Sequence, residues 1–434
     1  MKGVLIAAPS SGSGKTVITL ALLRALKRSG HAVGSLKIGP DYIDPGFHSL
    51  ASGAACLNID GWAMRSSTRT GQIARIAEDI DLMIAEGVMG LFDGAADGTG
   101  SSADLAADMN LPIILIVDVS GQSASAAAVV TGFKEFRADI KIAGVIFNRV
   151  GSARHEQMLR RAMETVSIPI LGCLPRDQAF AFDSRHLGLV QASELADIET
   201  QIEAAATLIS KAIDLNTLIS LSESSKIPTP APTTPIIPPL GQRISIASDT
   251  AFSFCYPHIL KAWQEAGATI STFSPLADEA PALDCDAIYL PGGYPELHAA
   301  RIASNNNFMS GLREAAQRDA TLYGECGGFM VLGESLTDRD GETHAMAGLL
   351  PIETSFASPK LHLGYRKLQL LTDGVLGKKG TQYRGHEFHY SAQTAKSDEF
   401  LFAAHNALDE DLGNFGCRRG NVMGSYIHLI DNVD

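Results

Sequence analysis

The sequence lacks an apolar run of the roughly 18 residues that a membrane-crossing helix requires, so no span of that kind is expected. It lacks an excess of positive charge. Lys and Arg number 35 against 48 Asp and Glu, a formal net charge of -13, which argues against general binding to nucleic acid or to an anionic membrane surface. Any anionic ligand must therefore be met by local positive groups. No C-x-x-C occurs, and the six cysteines (Cys56, Cys173, Cys255, Cys285, Cys326, Cys417) are scattered. Reduced thiols in the cytoplasm are the expectation. No internal repeat is found. The opening "MKGVLIAAPSSGSGKTV" resembles a short signal peptide, but its apolar stretch leads straight into a glycine loop and reads as a first strand.

What is present is a chain of 434 residues, 45% hydrophobic and 19% charged, the balance of a soluble globular protein of two or three domains. Apolar runs at Val4–Ala8, Ala32–Lys37, Leu82–Glu86, Ile113–Asp118, Ile142–Asn148 and Ile168–Leu174 read as strands. Stretches with helical spacing, Val17–Ser29 and Ala124–Phe136 among them, lie between. That alternation predicts a parallel α/β sheet. "SESSKIPTPAPTTPIIPPLG" then carries six prolines between Pro228 and Pro239 and reads as an extended linker. Strands resume near Ile244–Ala247, Thr269–Phe273, Ala287–Leu290 and Thr321–Gly324. The expected division is a domain over 1–222, a linker over 223–242 and a second α/β domain over 243–434.

The first domain opens with strand, glycine loop and helix, and Gly14-Lys15-Thr16 is the G-K-[ST] of a phosphate-binding loop. Amides of Gly12, Ser13 and Gly14 and of the helix start point at phosphate oxygens. Lys15 reaches the outer phosphates and the Thr16 hydroxyl ligates Mg²⁺. One departure is that Pro9 stands where such loops carry their first glycine. Two further stretches belong to the same edge of the sheet. "SLKIGPDYIDPGFH" places Lys37, Asp41, Tyr42 and Asp44 at the carboxyl end of the second strand, where open α/β sheets bind ligands, for substrate or phosphate contact. "LMIAEGVMGLFDG" puts Glu86 at the end of a strand, so Glu86 or Asp41 is expected to hold Mg²⁺. Helix-capping or turn roles are the alternative for Asp41, Asp44 and Asp93. Asn148 is a candidate base contact, with a buried or turn asparagine as the alternative.

The second domain carries "TLYGECGGFMVLGE". Cys326 stands between a short strand and an apolar helix, with Gly324 before it and Gly327 and Gly328 after it. A nucleophile at such a corner needs small neighbours. The helix start is expected to lower the thiol pKa. The amide of Gly327, with that of Gly293 from "YLPGGYPELHA", would face a developing oxyanion. His428 in "GSYIHLID" is the candidate base, since such partners meet only in the fold. "RGHEFHYS" adds His386, Glu387 and His389, which read as metal ligands, substrate contacts or structural support, with no third ligand evident nearby.

With these residues in view the chain resembles a known family. "GECGGFMVLGE", "LPGGYPELHA" and "SYIHL" resemble a triad-type (class I) glutamine amidotransferase. The first half resembles the dethiobiotin-synthetase-like branch of P-loop proteins. "KIGPDYIDP", "MGLFDGAADG" and "HLGYR" extend the likeness over nearly the whole chain, to the a,c-diamide synthases of cobalamin biosynthesis. "FSPLADEAP", "RHLGLVQA" and "GHEFHY" look closest to the hydrogenobyrinate branch; the cobyrinate branch is the alternative. The resemblance implies a cytoplasmic ligase that uses ATP, Mg²⁺ and L-glutamine. Cys326 and His428 would release ammonia. ATP would phosphorylate two carboxylates of hydrogenobyrinic or cobyrinic acid in turn, and ammonia would displace the phosphate. A homodimer is compatible with it.

Two features depart from that pattern. Triad enzymes carry a glutamate two residues after the histidine, where this chain has Ile430, and the adjacent Asp431 faces the other way on a strand. A Cys–His dyad, or another group orienting His428, is then expected. The acidic chain must also hold a polycarboxylate substrate, for which Arg366, Arg418 and Arg419 are weak candidates. A rival reading, a regulatory partitioning-type ATPase, needs a lysine early in the loop where Ser10 stands. A lone cysteine hydrolase is the other rival, and Lys15-Thr16 argues against it.

Overall fold

The computed structural model describes residues 2–177, 180, 197–224, 236–394 and 399–433. The chain forms two compact units, one of residues 1–62 and 69–232, the other of residues 63–68 and 233–434. The break at 232/233 falls within the proline-rich stretch, of which 225–235 lies outside the described residues, as does "RHLGLVQA". Assignment of the short segment 63–68 to the second unit is a tertiary result with no signature in the sequence.

The first unit is an eight-stranded sheet. Its strands are β1 (Lys2–Ala7), β2 (Val33–Ile38), β3 (Cys56–Ile59), β4 (Leu82–Glu86), β5 (Ile113–Asp118), β6 (Ile142–Val150), β7 (Ile170–Pro175) and β8 (Glu223–Ser224). Their order is β3-β2-β4-β1-β5-β6-β7, all parallel, with the two-residue β8 antiparallel to the start of β1. Runs such as "LMIAE" and "IILIVD" are buried almost throughout, as strands covered on both faces must be. The four-residue β3 has no comparable run and was not foreseen. Helix α1 (Lys15–Arg28) follows β1 through the glycine loop, and α2 (Asp44–Ser52) follows β2. Register pairs Glu86 with both Ile6 and Lys37. The carboxyl ends of β1, β2 and β4 therefore lie side by side.

The second unit holds a six-stranded sheet that begins with β9 (Arg243–Ala247), β10 (Thr269–Phe273), β11 (Ala287–Leu290) and β12 (Thr321–Glu325). Their order is β10-β9-β11-β12, continued by Val422–Ser425 in parallel and Cys417–Arg419 antiparallel. A five-stranded antiparallel sheet contains His362–Leu370, Gln382–His389 and Ile427–Asn432 as neighbours. The chain passes from one sheet to the other at Ser425–Ile427. The Ser425 carbonyl accepts the Cys326 amide at 2.8 Å while its hydroxyl accepts the Ile427 amide at 3.1 Å. That crossing leaves His428 close to the end of β12, and register sets it opposite His386.

Candidate active sites

In the first unit the phosphate loop has the geometry its glycines permit. Gly12 and Gly14 take φ of 78° and 91°, a region a side chain disfavours. A Cβ on Gly14 would also come 2.4 Å from Asn148 Nδ2. Asn148 donates to the Ser13 carbonyl at 2.9 Å, and its own oxygen accepts the Arg149 amide. Asn148 is thus buried under the loop, with both ends of its amide engaged. Pro9 is where the next loop closes in. Leu91 donates to Ala8 O at 2.9 Å, and a Cβ on Gly90 would stand 2.7 Å from Pro9 O. Lys15 bridges the two loops through the carbonyls of Met89 at 2.5 Å and Ser10 at 3.3 Å. Burial lowers its pKa. The Asp93 carboxylate accepts the Gly90 amide, a turn role.

The carboxylates gather around a buried ammonium. Lys37 Nζ lies 2.5 Å from Asp44 Oδ2 and 2.8 Å from Glu86 Oε1. The Thr16 hydroxyl meets the same oxygens, at 3.1 Å from Asp44 Oδ2 and 2.7 Å from Glu86 Oε1. Asp44, not Asp41, is therefore the acid that joins Thr16 and Glu86. Asp41 Oδ1 accepts the amides of Ile43 and Asp44 at 2.9 Å each, the capping alternative weighed above, and its other oxygen lies 3.7 Å from Lys37. Tyr42 is half-buried beside it. His48 was missed by sequence reasoning, although it lies four residues after Asp44 on the same helix and so shares its face. Its Nε2 lies 2.7 Å from Glu86 Oε2, and its Nδ1 lies 3.7 Å from Cys56 Sγ.

These contacts set the charges. Burial alone would raise the Glu86 pKa, but Lys37 and His48 hold it well below the carboxylate range. Burial opposes charge on Lys37 too, and Asp44 and Glu86 overcome it. For His48 burial is again opposed, by Cys56 and Glu86, and its pKa rises to about 10. Asp44 is pushed up to about 6 by burial and by Asp41, against the pull of Lys37. In this acidic chain the phosphate site thus carries three cationic groups, Lys15, Lys37 and His48. The Thr16, Asp44 and Glu86 oxygens converge on one point, a hard-oxygen donor set of the kind Mg²⁺ takes, and Lys37 already balances their charge there.

In the second unit Cys326 takes φ 47° and ψ -107°, a strained corner for a residue with a side chain. Close packing makes the glycines obligatory. A Cβ on Gly324 would lie 2.7 Å from the Gly328 carbonyl carbon, and one on Gly328 would lie 2.0 Å from Leu290 O. The Cys326 thiol donates to the Phe388 carbonyl, with Sγ 3.8 Å from the oxygen. A Cβ on Gly327 would come 3.1 Å from the Gly293 nitrogen, so the two expected oxyanion donors are neighbours. A Cβ on Gly292 would stand 2.3 Å from His428 Cε1, 3.0 Å from its Nε2 and 3.2 Å from Cys326 Cβ. His428 Cε1 and Nε2 and the Cys326 Cβ thus border the same point beside Gly292.

The expected lowering of the thiol pKa is not found. Burial pushes the Cys326 thiol up, the nearby Glu296 carboxylate adds to this, and the Gly327 amide only partly offsets them. The six-residue helix that follows does not outweigh desolvation. His428, also buried, is pulled down to about 3, with His386 and His389 adding to burial. At rest the pair is a neutral thiol beside a neutral imidazole, which is the protonation a general base needs before attack.

The surrounding side chains are committed. Asp431 accepts the Arg65 amide at 2.8 Å and its guanidinium at 3.1 and 3.2 Å. Arg366 contacts Glu387 Oε2 through Nε at 2.8 Å and Nη2 at 2.6 Å, and His389 Nε2 lies 2.9 Å from the other oxygen. Register brings in His362 opposite His389, the third ligand that the sequence did not reveal. His362, Glu387 and His389 are near enough to share an ion. Glu387 is already matched there by Arg366. Arg418 is tied to Thr372 and to the Gly420 carbonyl, and Arg419 is exposed.

Residues 4–190 match the CobQ/CobB/MinD/ParA nucleotide binding domain, and residues 243–433 match the CobB/CobQ-like glutamine amidotransferase domain. The chain is 53% identical over 435 aligned residues to the hydrogenobyrinate a,c-diamide synthase of Brucella anthropi, covering 99% of each chain. It is 52% identical to that of Brucella abortus and 49% to that of Rhizobium meliloti, again over 99% of each. The chain joins a nucleotide-binding α/β domain to a glutamine amidotransferase domain and belongs to the hydrogenobyrinate a,c-diamide synthase family.

Proposed function

We propose that this chain converts the a and c carboxylates of hydrogenobyrinic acid to amides, with ATP and L-glutamine, in cobalamin biosynthesis. The observation that carries the reading is the pairing, in one chain, of a phosphate loop backed by buried cations with a strained cysteine corner that His428 borders. Relatives named hydrogenobyrinate a,c-diamide synthase, matched over 99% of each chain, support the choice of substrate.

At the second unit's site, His428 Nε2 takes the thiol proton as Cys326 attacks the glutamine amide carbon. The amides of Gly293 and Gly327 receive the oxyanion. The proton passes to the leaving ammonia, and water then hydrolyses the thioester to glutamate, with His428 again as base. At the first unit's site, the amides of Gly12, Ser13 and Gly14 cradle the phosphates and Lys15 exchanges its carbonyl partners for phosphate oxygens. Thr16, Asp44 and Glu86 would hold Mg²⁺, which when bound neutralises phosphate charge. Lys37 and His48 keep Glu86 ionised and fixed. A substrate carboxylate takes the γ-phosphoryl group, ADP leaves, and ammonia displaces phosphate to give the amide.

The decisive measurement is amidation of the cobalt-free acid with two nitrogen sources. Cys326→Ser is expected to lose glutamine-driven amidation by at least about 10³-fold and to keep ammonium-driven amidation, while Lys15→Ala loses both. Equal loss of both activities in folded Cys326→Ser would sink the two-site scheme. Faster turnover of the cobalt-containing acid would reassign the substrate to cobyrinate. A cytoplasmic location and a homodimer belong to the same reading, and the mass in solution tests the second.

A further inference from the structure

The acid that triad enzymes place two residues after the histidine is missing at Ile430, and Asp431 is spent on Arg65. A different carboxylate stands where it is needed. Glu325, the last residue of β12, is buried directly before the nucleophile, and its Oε2 lies 3.8 Å from His428 Nδ1. The other side of the ring, Cε1 and Nε2, borders the point beside Gly292 that Cys326 Cβ also borders. The imidazole thus neighbours both the cysteine and the carboxylate. We infer that Glu325 is the positioning residue that orients His428 and balances its charge when it takes the thiol proton. This rests on reading Cys326 and His428 as nucleophile and base.

The carboxylate is itself held in place. Tyr289 donates its hydroxyl to Oε2 at 2.7 Å, while Tyr323 donates to Oε1 at 3.0 Å. The Leu429 amide donates to Oε1 at 3.1 Å, so Glu325 grips the backbone of the residue next to the histidine whose ring it faces. Three donated hydrogen bonds favour the ionised form, against burial that pushes the pKa up to about 7. Tyr289, Tyr323 and the Cys255 and Cys326 thiols interact with Glu325, and His386 and His389 act on His428. Glu387 is not a rival, being matched by Arg366 and His389. A separation of 3.8 Å is longer than a hydrogen bond and is expected to close when the imidazole is charged, since catalytic contacts tighten on the reaction path.

The test is Glu325→Gln in the full chain, read by glutaminase kinetics across pH, with ammonium-driven amidation as the measure of an intact fold. The expected result is a kcat lower by about 100-fold or more, a KM for glutamine within about threefold, and an acid limb of kcat/KM moved to lower pH. The sign follows because loss of the carboxylate makes the imidazolium less stable and lowers the His428 pKa. A kcat within about threefold of the parent, a loss confined to KM, or a lowered kcat with the acid limb unmoved would overturn the proposal. Should Glu325→Gln lose ammonium-driven activity as well, Tyr289→Phe decides. It removes one donor without changing shape, and the same fall in kcat with the same shift is expected; its absence overturns the idea. Glutaminase activity surviving in Cys326→Ser would instead fail the underlying reading, whatever Glu325 does.

Discussion

The two sites are built on opposite principles. In the first unit, ionised side chains are held against one another in a buried place. Lys37 and His48 hold Glu86, and Lys15 is parked on two carbonyls. In the second unit Cys326 and His428 are neutral at rest, and their geometry comes from backbones packed too closely for any side chain but hydrogen. The difference follows from the chemistry each must do. Phosphoryl transfer needs fixed charge before the nucleotide arrives. Thiol attack on an amide needs a proton moved only at the moment of reaction, so a permanent thiolate is not required.

The comparison can be broken most severely at Gly328. A Cβ there would meet Leu290 O at 2.0 Å, backbone that cannot swing aside. Gly328→Ala is expected to lower glutamine-driven amidation by about 100-fold or more through displacement of the Cys326 corner and to leave ammonium-driven amidation close to the parent. Equal loss of both would mean that the second unit's packing is not a local matter.

The charge side is sharpened by His48→Gln. A histidine whose folded pKa is raised to about 10 contributes stability that is complete below its unfolded value near 6.5. That stability is lost as pH rises through about 10. The first unit's thermal transition should therefore fall in temperature between these limits in the parent, and the slope should flatten in the variant. The second unit's transition should show no such change. Calorimetry of both proteins across this range measures it, and an unchanged slope would show that His48 is not the charged partner of Glu86.

The smallest effect is expected at Asn148. Asn148→Ala removes the prop under Ser13 and should raise KM for ATP by about tenfold with a lesser fall in kcat. Discrimination between ATP and GTP should be unchanged, because both ends of the side-chain amide are engaged by backbone. A changed nucleotide preference would make Asn148 a base contact.

Much of this was legible in the chain. Lys15-Thr16 and the strand and helix around them identify themselves locally, because a phosphate loop is a contiguous device. Cys326 does so through its flanking glycines. The strands Leu82–Glu86, Ile113–Asp118, Thr269–Phe273 and Ala287–Leu290 have the bounds that their apolar runs predict. The four-residue β3 does not announce itself, since it has too little pattern. Asp41 and Asp44 are three residues apart and chemically alike, so only the turn into α2 decides that Asp41 caps the helix and Asp44 meets Thr16. The thiol pKa was misjudged because a helix start is visible in sequence, while the depth of burial that opposes it is not.

Covalent sequence set the two domain types, the phosphate loop, the glycine-flanked Cys326 and the absence of an acid two residues after His428. These are properties of neighbours along the chain, where covalent spacing fixes what can meet. Tertiary structure alone decided that Glu325 faces the ring of His428, that Arg65 occupies Asp431, and that His48 and Lys37 share Glu86. Such pairs are distant in sequence or hidden by a strand's alternation. Only the register of packed strands, and the cost of leaving a buried charge unmatched, selects them.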